Sequence, residues 1–242
     1  MPTNNKSDEK IVSGIKVKVL KKDIKNFHLN VLPPNGLVRV SVPMDTSDDT
    51  IHFFIASRLT WIKKKIDTFK NHSRESKREY VENESHYFLG KRYLLKLLES
   101  PENYVEIDRK KYLKIHVRDT ADIKLKEKTL QKFYREELRK ILDKAVPQYE
   151  KLIGVKAEKY TIRKMKTKWG SCNSEDKRVN FNLDLAKKPI KSINYVIVHE
   201  LVHLIERNHN KKFLYLMDKY LPKWREERQR LNKLILSCED WK

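Results

Sequence analysis

Cysteine and glycine are scarce in this chain, and long apolar runs are missing. Two cysteines among 242 residues are too few for a disulfide scaffold, so a reducing cytoplasm is the simplest expected setting. No apolar stretch approaches the roughly eighteen residues of a membrane-spanning helix, and the polar first ten residues lack the apolar core of a signal peptide. Five glycines and 36% charged residues indicate a soluble, largely regular protein of one large or two small domains.

Charge of one sign dominates the composition. The chain has 54 basic and 33 acidic side chains, which gives a net charge of +21. Such an excess favours anionic partners such as nucleic acid, nucleotides or acidic proteins. The lysines are, however, spread along the whole chain, which fits a lysine-rich composition with a solvated surface equally well. Both interpretations stay open.

Hydrophobic periodicity predicts an α+β fold. Residues 1–10 are expected to be disordered, and residues 11–125 to form an N-terminal, antiparallel β-rich subdomain with one helix. Three short strands end near Pro43, an amphipathic helix follows the Ser47 cap, and three further strands lie between Tyr87 and Val117. Residues 126–242 are expected to form a second, helix-rich subdomain, and no internal repeat is visible in the sequence.

The most informative segment is His199-Glu200-Leu201-Val202-His203, with His209 six residues further on. On a helix, residues four apart lie on one face, so both imidazoles of the HExxH segment can reach one Zn²⁺. Glu200 is rotated about 100° from His199, which places its carboxylate where it can take a proton from water activated by the metal. His209 is well placed to supply the third ligand that zinc hydrolases need.

The flanking residues predict that this segment is a buried helix. An apolar run from Ile193 to Ile205 follows Ser192, a fair N-cap, and the expected stop is at Arg207-Asn208. Isolated buried histidines are more often hydrogen-bonded core residues than ligands. Two imidazoles and a carboxylate on one apolar helix would nevertheless be costly to bury unpaired, and a metal removes that cost.

A hairpin is predicted shortly before this helix. Trp169-Gly170-Ser171-Cys172 and a second strand at 179–183 flank a polar tip. Beside a metal, such an edge strand can hold an extended peptide by backbone pairing, and Gly170 permits a close backbone approach. A purely structural hairpin with Trp169 in the core is the favoured alternative. Cys172 is expected to be an inert buried thiol rather than a ligand.

Several motifs together resemble a known family. Trp169-Gly170-Ser171-Cys172, Asn182-Leu183, Pro189, the HExxH segment and Asn208-His209 before Phe213 are similar in order and spacing to the YgjP-like metallopeptidases, relatives of the SprT-like zincins. The resemblance covers the whole chain and is most specific in the second half. It implies a zincin-like catalytic core with zinc on His199, His203 and His209 and with Glu200 as catalytic base.

Other site residues are less determined. In metzincins a glycine stands where this chain has Glu206, so a metzincin turn is not expected here. Glu206 falls on the same face as His199, where it either orients an imidazole or faces solvent. A tetrahedral oxyanion also needs a donor, for which Tyr195, Arg163 and Lys166 are the candidates.

Three functions fit these residues. The leading hypothesis is zinc-dependent hydrolysis of peptide or protein substrates. The second keeps the zinc site but hydrolyses nucleoside triphosphates, which suits the charge but lacks a glycine-rich phosphate loop. The third is a DNA-associated protein with a zincin fold that acts on DNA-bound proteins, by analogy with SprT-like relatives.

Overall fold

The computed structural model describes residues 7–32, 36–71, 78–108, 111–165 and 168–233. The chain divides into two compact units, the first within Met1–Arg74 and the second within Glu75–Glu239. This division lies earlier than the boundary expected between residues 125 and 126. The reason is that the apolar strand residues between Phe88 and Val117 share one core with the helices that follow them.

The first unit contains four strands followed by two helices. Their bounds are β1 (Ser7–Val12), β2 (Ile15–Lys22), β3 (His28–Leu32), β4 (Leu37–Pro43), α1 (Asp48–Ala56) and α2 (Leu59–Asn71). Residues 7–10, expected to be disordered, therefore belong to the first strand. The helix expected as one piece after Ser47 is two helices, because the chain turns at Ser57-Arg58.

The sheet of the first unit is mixed rather than antiparallel. Its strand order is β1-β2-β4-β3, in which β2 and β4 are parallel while the two outer pairs are antiparallel. Alternating valines such as Val17, Val19, Val38 and Val40 face a core that includes Ile51 of α1. Alternation determines which face of a strand is buried, but it does not determine which strand lies beside it.

The second unit contains seven strands and four α-helices in the part of the chain that the structure describes. Their bounds are β5 (Ser85–Phe88), β6 (Lys91–Glu99), β7 (Tyr104–Asp108), β8 (Tyr112–Val117), α3 (Ile123–Ile153), β9 (Lys159–Arg163), β10 (Gly170–Asn173), β11 (Arg178–Asn182), α4 (Ile190–Val202), α5 (Lys211–Tyr220) and α6 (Trp224–Lys233). A 3₁₀ turn, Leu183–Lys187, joins β11 to α4. The mixed α+β class expected from the sequence is confirmed.

The first sheet of the second unit repeats the topology of the first unit. Its order is β5-β6-β8-β7, again with one central parallel pair between two antiparallel pairs. The sequence shows no matching repeat, so this internal symmetry is visible only in the strand pairing. The turn between β5 and β6 also contacts the 3₁₀ turn that precedes α4, because the N–H of Leu89 and of Gly90 donate to the carbonyls of Ala186 and Lys187.

Helix α3 forms the centre of the second unit. It begins at the Asp122 cap and ends at Gly154, whose φ of 78° is the left-handed conformation that closes many helices. Its buried stripe includes Leu130, Tyr134, Leu138 and Leu142. Through this stripe α3 contacts β7 and β8, the 3₁₀ turn and α4. One side of helix α4 therefore packs against α3 in the core of this unit.

A second, three-stranded sheet lies against α4. Its order is β10-β11-β9, with β10 antiparallel to β11 and β9 parallel to it. Both β10 and β11 contact α4. The predicted hairpin is therefore present, and its first strand forms an edge of the sheet. No helix in the described part of the chain is long and apolar enough to cross a bilayer.

Candidate metal centre

Helix α4 carries His199 and Glu200 in a nearly continuous buried segment. It begins at Ile190 after a Pro189 N-cap, so Ser192 is not the cap that the sequence suggested. The buried Ser192 hydroxyl instead bonds to the Glu227 carboxylate, with 3.2 Å between the oxygens. The helix also ends earlier than expected, with His203 as its C-cap.

A tight turn after α4 returns the chain toward the helix. The N–H groups of Leu204 and Ile205 donate to carbonyls three residues earlier, and the N–H of Glu206 donates to Val202. The Glu206 carboxylate then accepts a hydrogen bond from the Asn208 N–H at 3.2 Å. This turn brings His209 next to the histidines of the helix.

The three imidazoles converge through their Nε2 atoms. The Nε2 atoms of His199 and His203 are 3.2 Å apart, and those of His199 and His209 are 3.1 Å apart. Two nitrogens on one tetrahedral zinc, each about 2.0–2.1 Å from the ion, lie about 3.3 Å apart. One ligand atom from each histidine lies within 4.8 Å of the others. The donor set therefore fits a zinc ion.

The electrostatics of the three rings favour their neutral, ligating form. Burial lowers the pKa of His199 to about 3, with further lowering by His203, His209 and Arg228. Burial also lowers the pKa of His203 and of His209. A metal ion therefore meets little competition from protons at neutral pH.

Two groups around the histidines hold their rings. His203 Nδ1 lies 3.1 Å from the Glu206 carbonyl oxygen, and donation to that carbonyl leaves Nε2 free for a metal. Glu206 thus contacts the site through its backbone, while its carboxylate lies 3.7 Å from Lys212. The buried Phe213 ring lies against all three imidazoles, with centroid distances of 5.1, 4.7 and 4.6 Å to His199, His203 and His209.

Glu200 is buried beneath the β10 edge. Its residue is 5% exposed, and burial raises the pKa of its carboxyl to about 8, against a lowering effect of Lys168. A Cβ atom added to Gly170 would lie 2.5 Å from Glu200 Oε1 and 2.6 Å from its Cγ. Only a glycine allows β10 and this carboxylate to approach so closely.

The burial of Glu200 gives a pH-dependent stability that can be measured on metal-free protein. The folded carboxyl keeps its proton up to a pKa of about 8, whereas the unfolded carboxyl loses it near its ordinary pKa of about 4.3. Folding therefore binds a proton between these values, and stability falls as pH rises through them. We expect Glu200→Gln to stabilise the metal-free protein at about pH 9 by a few kcal/mol, at about 1.4 kcal/mol per pKa unit.

This stabilisation is expected to shrink as the pH falls and to approach zero below about pH 3.5, where the folded and unfolded carboxyls are both protonated. Urea denaturation at a series of pH values measures it directly. The three histidines are common to both proteins, so their titration cancels in the difference. A difference that does not change with pH would contradict the burial of an uncompensated Glu200 carboxyl.

Two residues of the edge strand β10 have backbone groups that point away from the rest of the sheet. The Asn182 N–H donates to the Trp169 carbonyl at 2.9 Å, and the register then pairs Ser171 with Asn180. Because hydrogen-bonded and non-hydrogen-bonded pairs alternate in an antiparallel ladder, the N–H and C=O of Gly170 and Cys172 point away from β11. No described strand pairs with them.

Cys172 is half-buried next to this edge. Burial and the neighbouring Glu200 raise the pKa of its thiol to about 11, so it is a neutral thiol at ordinary pH. It is not part of the histidine cluster.

The Ser171 hydroxyl accepts a hydrogen bond from the Asn180 side-chain amide at 3.2 Å. Trp169 is half-buried and its ring lies 5.2 Å from the Lys188 ammonium.

A cleft of about 470 Å³ contains the histidines and Glu200. Of the less determined residues, Trp169, Gly170, Ser171 and Tyr195 line it. Arg163 is exposed at the end of β9 and is not among the lining residues, so its predicted role as an oxyanion donor is not supported. Lys166 lies outside the described residues.

Three cations that sequence reasoning missed also line the cleft. They are Lys168 before β10, Arg207 in the turn after α4, and Arg228 on α6. None of them lies in the HExxH motif, and their only signal in the sequence was the general excess of positive charge. In α6, Trp224 and Arg228 are one helical turn apart, which indicates a shared face.

A buried helix that carries HExxH beside a third converging histidine is typical of metallopeptidases. The chain belongs to the YgjP-like family, since the model "YgjP-like, metallopeptidase domain" matches residues 25–234. The resemblance drawn from the motifs is therefore confirmed, and it assigns the protein to a family of hydrolases.

Two of the solved structures that share some similarity with this chain are metallopeptidase zymogens. Abylysin from Pyrococcus abyssi is 17% identical, with 37% of this chain and 90% of that chain covered and a TM-score of 0.35. Jannalysin from Methanocaldococcus jannaschii is 23% identical, with 38% and 92% covered and a TM-score of 0.34. A search of curated proteins found no match.

Proposed function

We propose that this protein is a zinc-dependent peptidase in which Glu200 is the general base. The observation that carries the proposal is the meeting of three imidazole Nε2 atoms, 3.1 and 3.2 Å apart, in one cleft with a buried glutamate and an open strand edge. Family membership supports peptide hydrolysis. The cleft volume lies within the range of small-molecule and peptide sites.

His199, His203 and His209 would hold the metal. A bound zinc ion polarises the carbonyl to be attacked and lowers the pKa of water in the site. Glu200 accepts the proton from the attacking water and later delivers it to the leaving amine. The burial that raises the pKa of this carboxyl in the metal-free protein also keeps bulk water away from it. Three protein ligands are the number that catalytic zinc sites use.

The β10 edge offers the substrate a place to bind. An extended peptide can pair with the outward N–H and C=O groups of Gly170 and Cys172, in the manner of β-strand addition. Since Gly170 lies directly against Glu200, a peptide on this edge passes the base as well as the histidines. Strand pairing forms hydrogen bonds with the backbone of the substrate and does not depend on its side chains. This arrangement favours peptides over other electrophiles.

Tyr195 is the preferred donor for the oxyanion. It lies four residues before His199 on α4, its ring centroid is 5.7 Å from that imidazole, and it lines the cleft. Burial raises its pKa to about 12, so the hydroxyl keeps its proton and can donate it in a hydrogen bond. Its ring stacks on Trp224 at 6.4 Å with an interplanar angle of 7°, which holds it in place.

The experiment that tests the function is hydrolysis of a mixed peptide library by purified protein. We expect cleavage by zinc-loaded protein, complete loss after chelation, and recovery when Zn²⁺ is returned. Mass spectrometry of the products identifies the bonds cut. Cleavage that continues at the same rate in chelator, with or without added Zn²⁺, would rule out the proposed mechanism.

His209 is expected to be required for stoichiometric zinc. Its imidazole is the most exposed of the three, and without it only two protein ligands remain. His209→Ala should lower zinc content well below one equivalent by elemental analysis. His52→Ala is the matched control, because His52 is an exposed histidine on α1 in the first unit. An unchanged zinc content in His209→Ala would remove this residue from the site.

Hydrolysis of nucleoside triphosphates is the second candidate function. The specific observation in its favour is that Lys168, Arg207 and Arg228 all line the cleft, because clustered cations bind polyphosphates. Pyrophosphate release that depends on zinc and on Glu200, with no peptide cleavage, would establish it in place of the peptidase. The binding of nucleic acid, which the net positive charge of the sequence suggests, remains a prediction.

A further inference from the structure

The side chains that line the cleft carry an excess of positive charge that the proposed catalytic residues do not explain. Lys168, Arg207 and Arg228 contribute three positive charges, and Glu200 is the sole carboxylate among the described residues that line it. The three cations come from separate parts of the chain and line the same cleft as the histidines. A bound divalent cation would add to the same sign.

Arg228 is the best placed of these cations to contact a substrate. The Arg207 guanidinium lies 3.8 Å from the Glu175 carboxylate, and both side chains are largely exposed. Arg228 and Lys168 have no carboxylate within ion-pair distance among the described residues. Two other α6 arginines are each paired, Arg225 with Asp218 and Arg230 with Glu227. Arg228 is therefore the α6 arginine left available to a ligand.

The helix holds Arg228 in a defined position beside the metal centre. One turn earlier, the buried Trp224 stacks on Tyr195, and its indole N–H donates to Asp218 at 2.8 Å. One turn later, the buried Leu231 also lines the cleft. The guanidinium lies 5.9 Å from the Trp224 ring, which limits where it can point. These contacts fix α6 against α4, the helix of His199 and Glu200.

We infer that Arg228, supported by Lys168, binds a carboxylate of the substrate, so that the preferred substrates are acidic peptides. The inference rests on the proposed peptidase function. A guanidinium can bind a carboxylate through two parallel hydrogen bonds, which an ammonium cannot do. A cleft with three cations and one buried carboxylate attracts acidic segments and repels basic ones. The carboxylate comes from an Asp or Glu side chain or from the C-terminus of the peptide.

Binding of labelled peptides to zinc-loaded Glu200→Gln protein tests the inference without requiring cleavage. One peptide set differs only by Asp or Glu against Asn or Gln, and a second differs only by a free against an amidated C-terminus. We expect the acidic member of at least one set to bind about tenfold more tightly by fluorescence anisotropy, as a charge-assisted hydrogen bond of about 1.4 kcal/mol requires. The set that shows the preference identifies the source of the carboxylate.

Variants of α6 then assign the preference to one residue. Arg228→Gln in the same background should reduce the preference to less than about threefold, and Arg228→Lys should leave an intermediate one. Arg230→Gln is the matched control, because Arg230 is an exposed, paired arginine outside the cleft. Equal binding of acidic and amide peptides, no measurable peptide binding, or a preference that Arg228→Gln leaves intact would each overturn the inference.

These outcomes are separable from a failure of the proposed function. An Arg228-dependent preference in the binding assay, with no peptide cut by zinc-loaded protein, would leave the anionic subsite and remove the peptidase. Cleavage without any preference for acidic peptides would leave the peptidase function and remove the anionic subsite. In cleavage assays Arg228→Gln should raise KM for acidic peptides about tenfold and change kcat less than about threefold, because the contact is made equally in the ground and transition states.

Discussion

Glu200→Gln is expected to lower the rate of peptide hydrolysis by about a thousandfold while leaving zinc at one equivalent. The amide has the shape of the carboxylate, so the close contact with Gly170 is kept and β10 need not move. The three histidines that would hold the metal are untouched. What is lost is the group that accepts the proton of the attacking water. The rate should therefore fall without a matching loss of peptide binding.

The measurements are single-turnover hydrolysis, elemental analysis for zinc and peptide binding on the same preparation. Glu226→Gln is the matched control, since Glu226 is an exposed carboxylate of α6 that does not line the cleft. It should retain activity within about threefold, as surface substitutions usually have small effects. Full activity of Glu200→Gln would remove this residue from proton transfer, and loss of zinc would give it a structural role instead.

The meeting of His199 and His203 could be predicted because helical geometry is strict. A spacing of four residues on an apolar helix places His199 and His203 together wherever that helix lies. The ends of the helix were less predictable. Ser192 has the chemistry of a cap, but the chain is already helical from Ile190, and the hydroxyl bonds to Glu227, a residue on another helix. Local propensity does not foresee such a tertiary partner.

Strand neighbours could not be predicted for a related reason. Apolar alternation in β2 and β4 indicates that each strand has one buried face, and the short connections between strands favour antiparallel neighbours. The structure instead places β3 on the far side of β4, so that β2 and β4 are parallel. The same arrangement recurs in β5 to β8. Pairing is a long-range property, and the sequence pattern describes one strand at a time.

The substrate contact proposed for Arg228 could not be predicted from the sequence, because it depends on how α6 packs in the folded protein. It belongs to a helix that is mostly polar, and an exposed arginine on such a helix ordinarily faces solvent. The tertiary contacts of α6 place it beside the metal centre: Trp224 stacks on Tyr195, and Arg228 lines the cleft. Glu206 illustrates the reverse case. Its side chain suggested an orienting carboxylate, whereas the group beside His203 is its backbone carbonyl, which every residue type possesses.

Gly170→Ala is expected to reduce hydrolysis about a hundredfold or more, although it adds one methyl group outside the motif. That methyl would lie 2.5–2.7 Å from three atoms of the Glu200 side chain, so either the carboxylate or β10 must shift. A displacement of about 1 Å in a catalytic group can cost a hundredfold in rate. Overpacking at a buried position is also expected to destabilise the fold by about 1–3 kcal/mol. Zinc content should stay near one equivalent.

Gly154→Ala separates the loss of activity from the loss of stability. Gly154 ends α3 with a φ of 78°, and a Cβ there would meet nothing within 4 Å, so the substitution strains the backbone without approaching the cleft. It should lower stability by about 1 kcal/mol and leave hydrolysis unchanged within about threefold. Similar rate losses in the two variants would show that Gly170→Ala acts through stability alone.

Combining Gly170→Ala with Glu200→Gln tests whether the glycine acts through the base. If the added methyl harms catalysis by displacing the Glu200 carboxylate, its effect should nearly vanish once the base is absent, because residues that act as one unit are not additive. The double variant should then be about as slow as Glu200→Gln, and the rate constants of the four proteins measure the coupling. Full additivity would mean that Gly170 serves the substrate strand independently of Glu200. The open edge of β10 would then be the part of the site that the methyl disturbs.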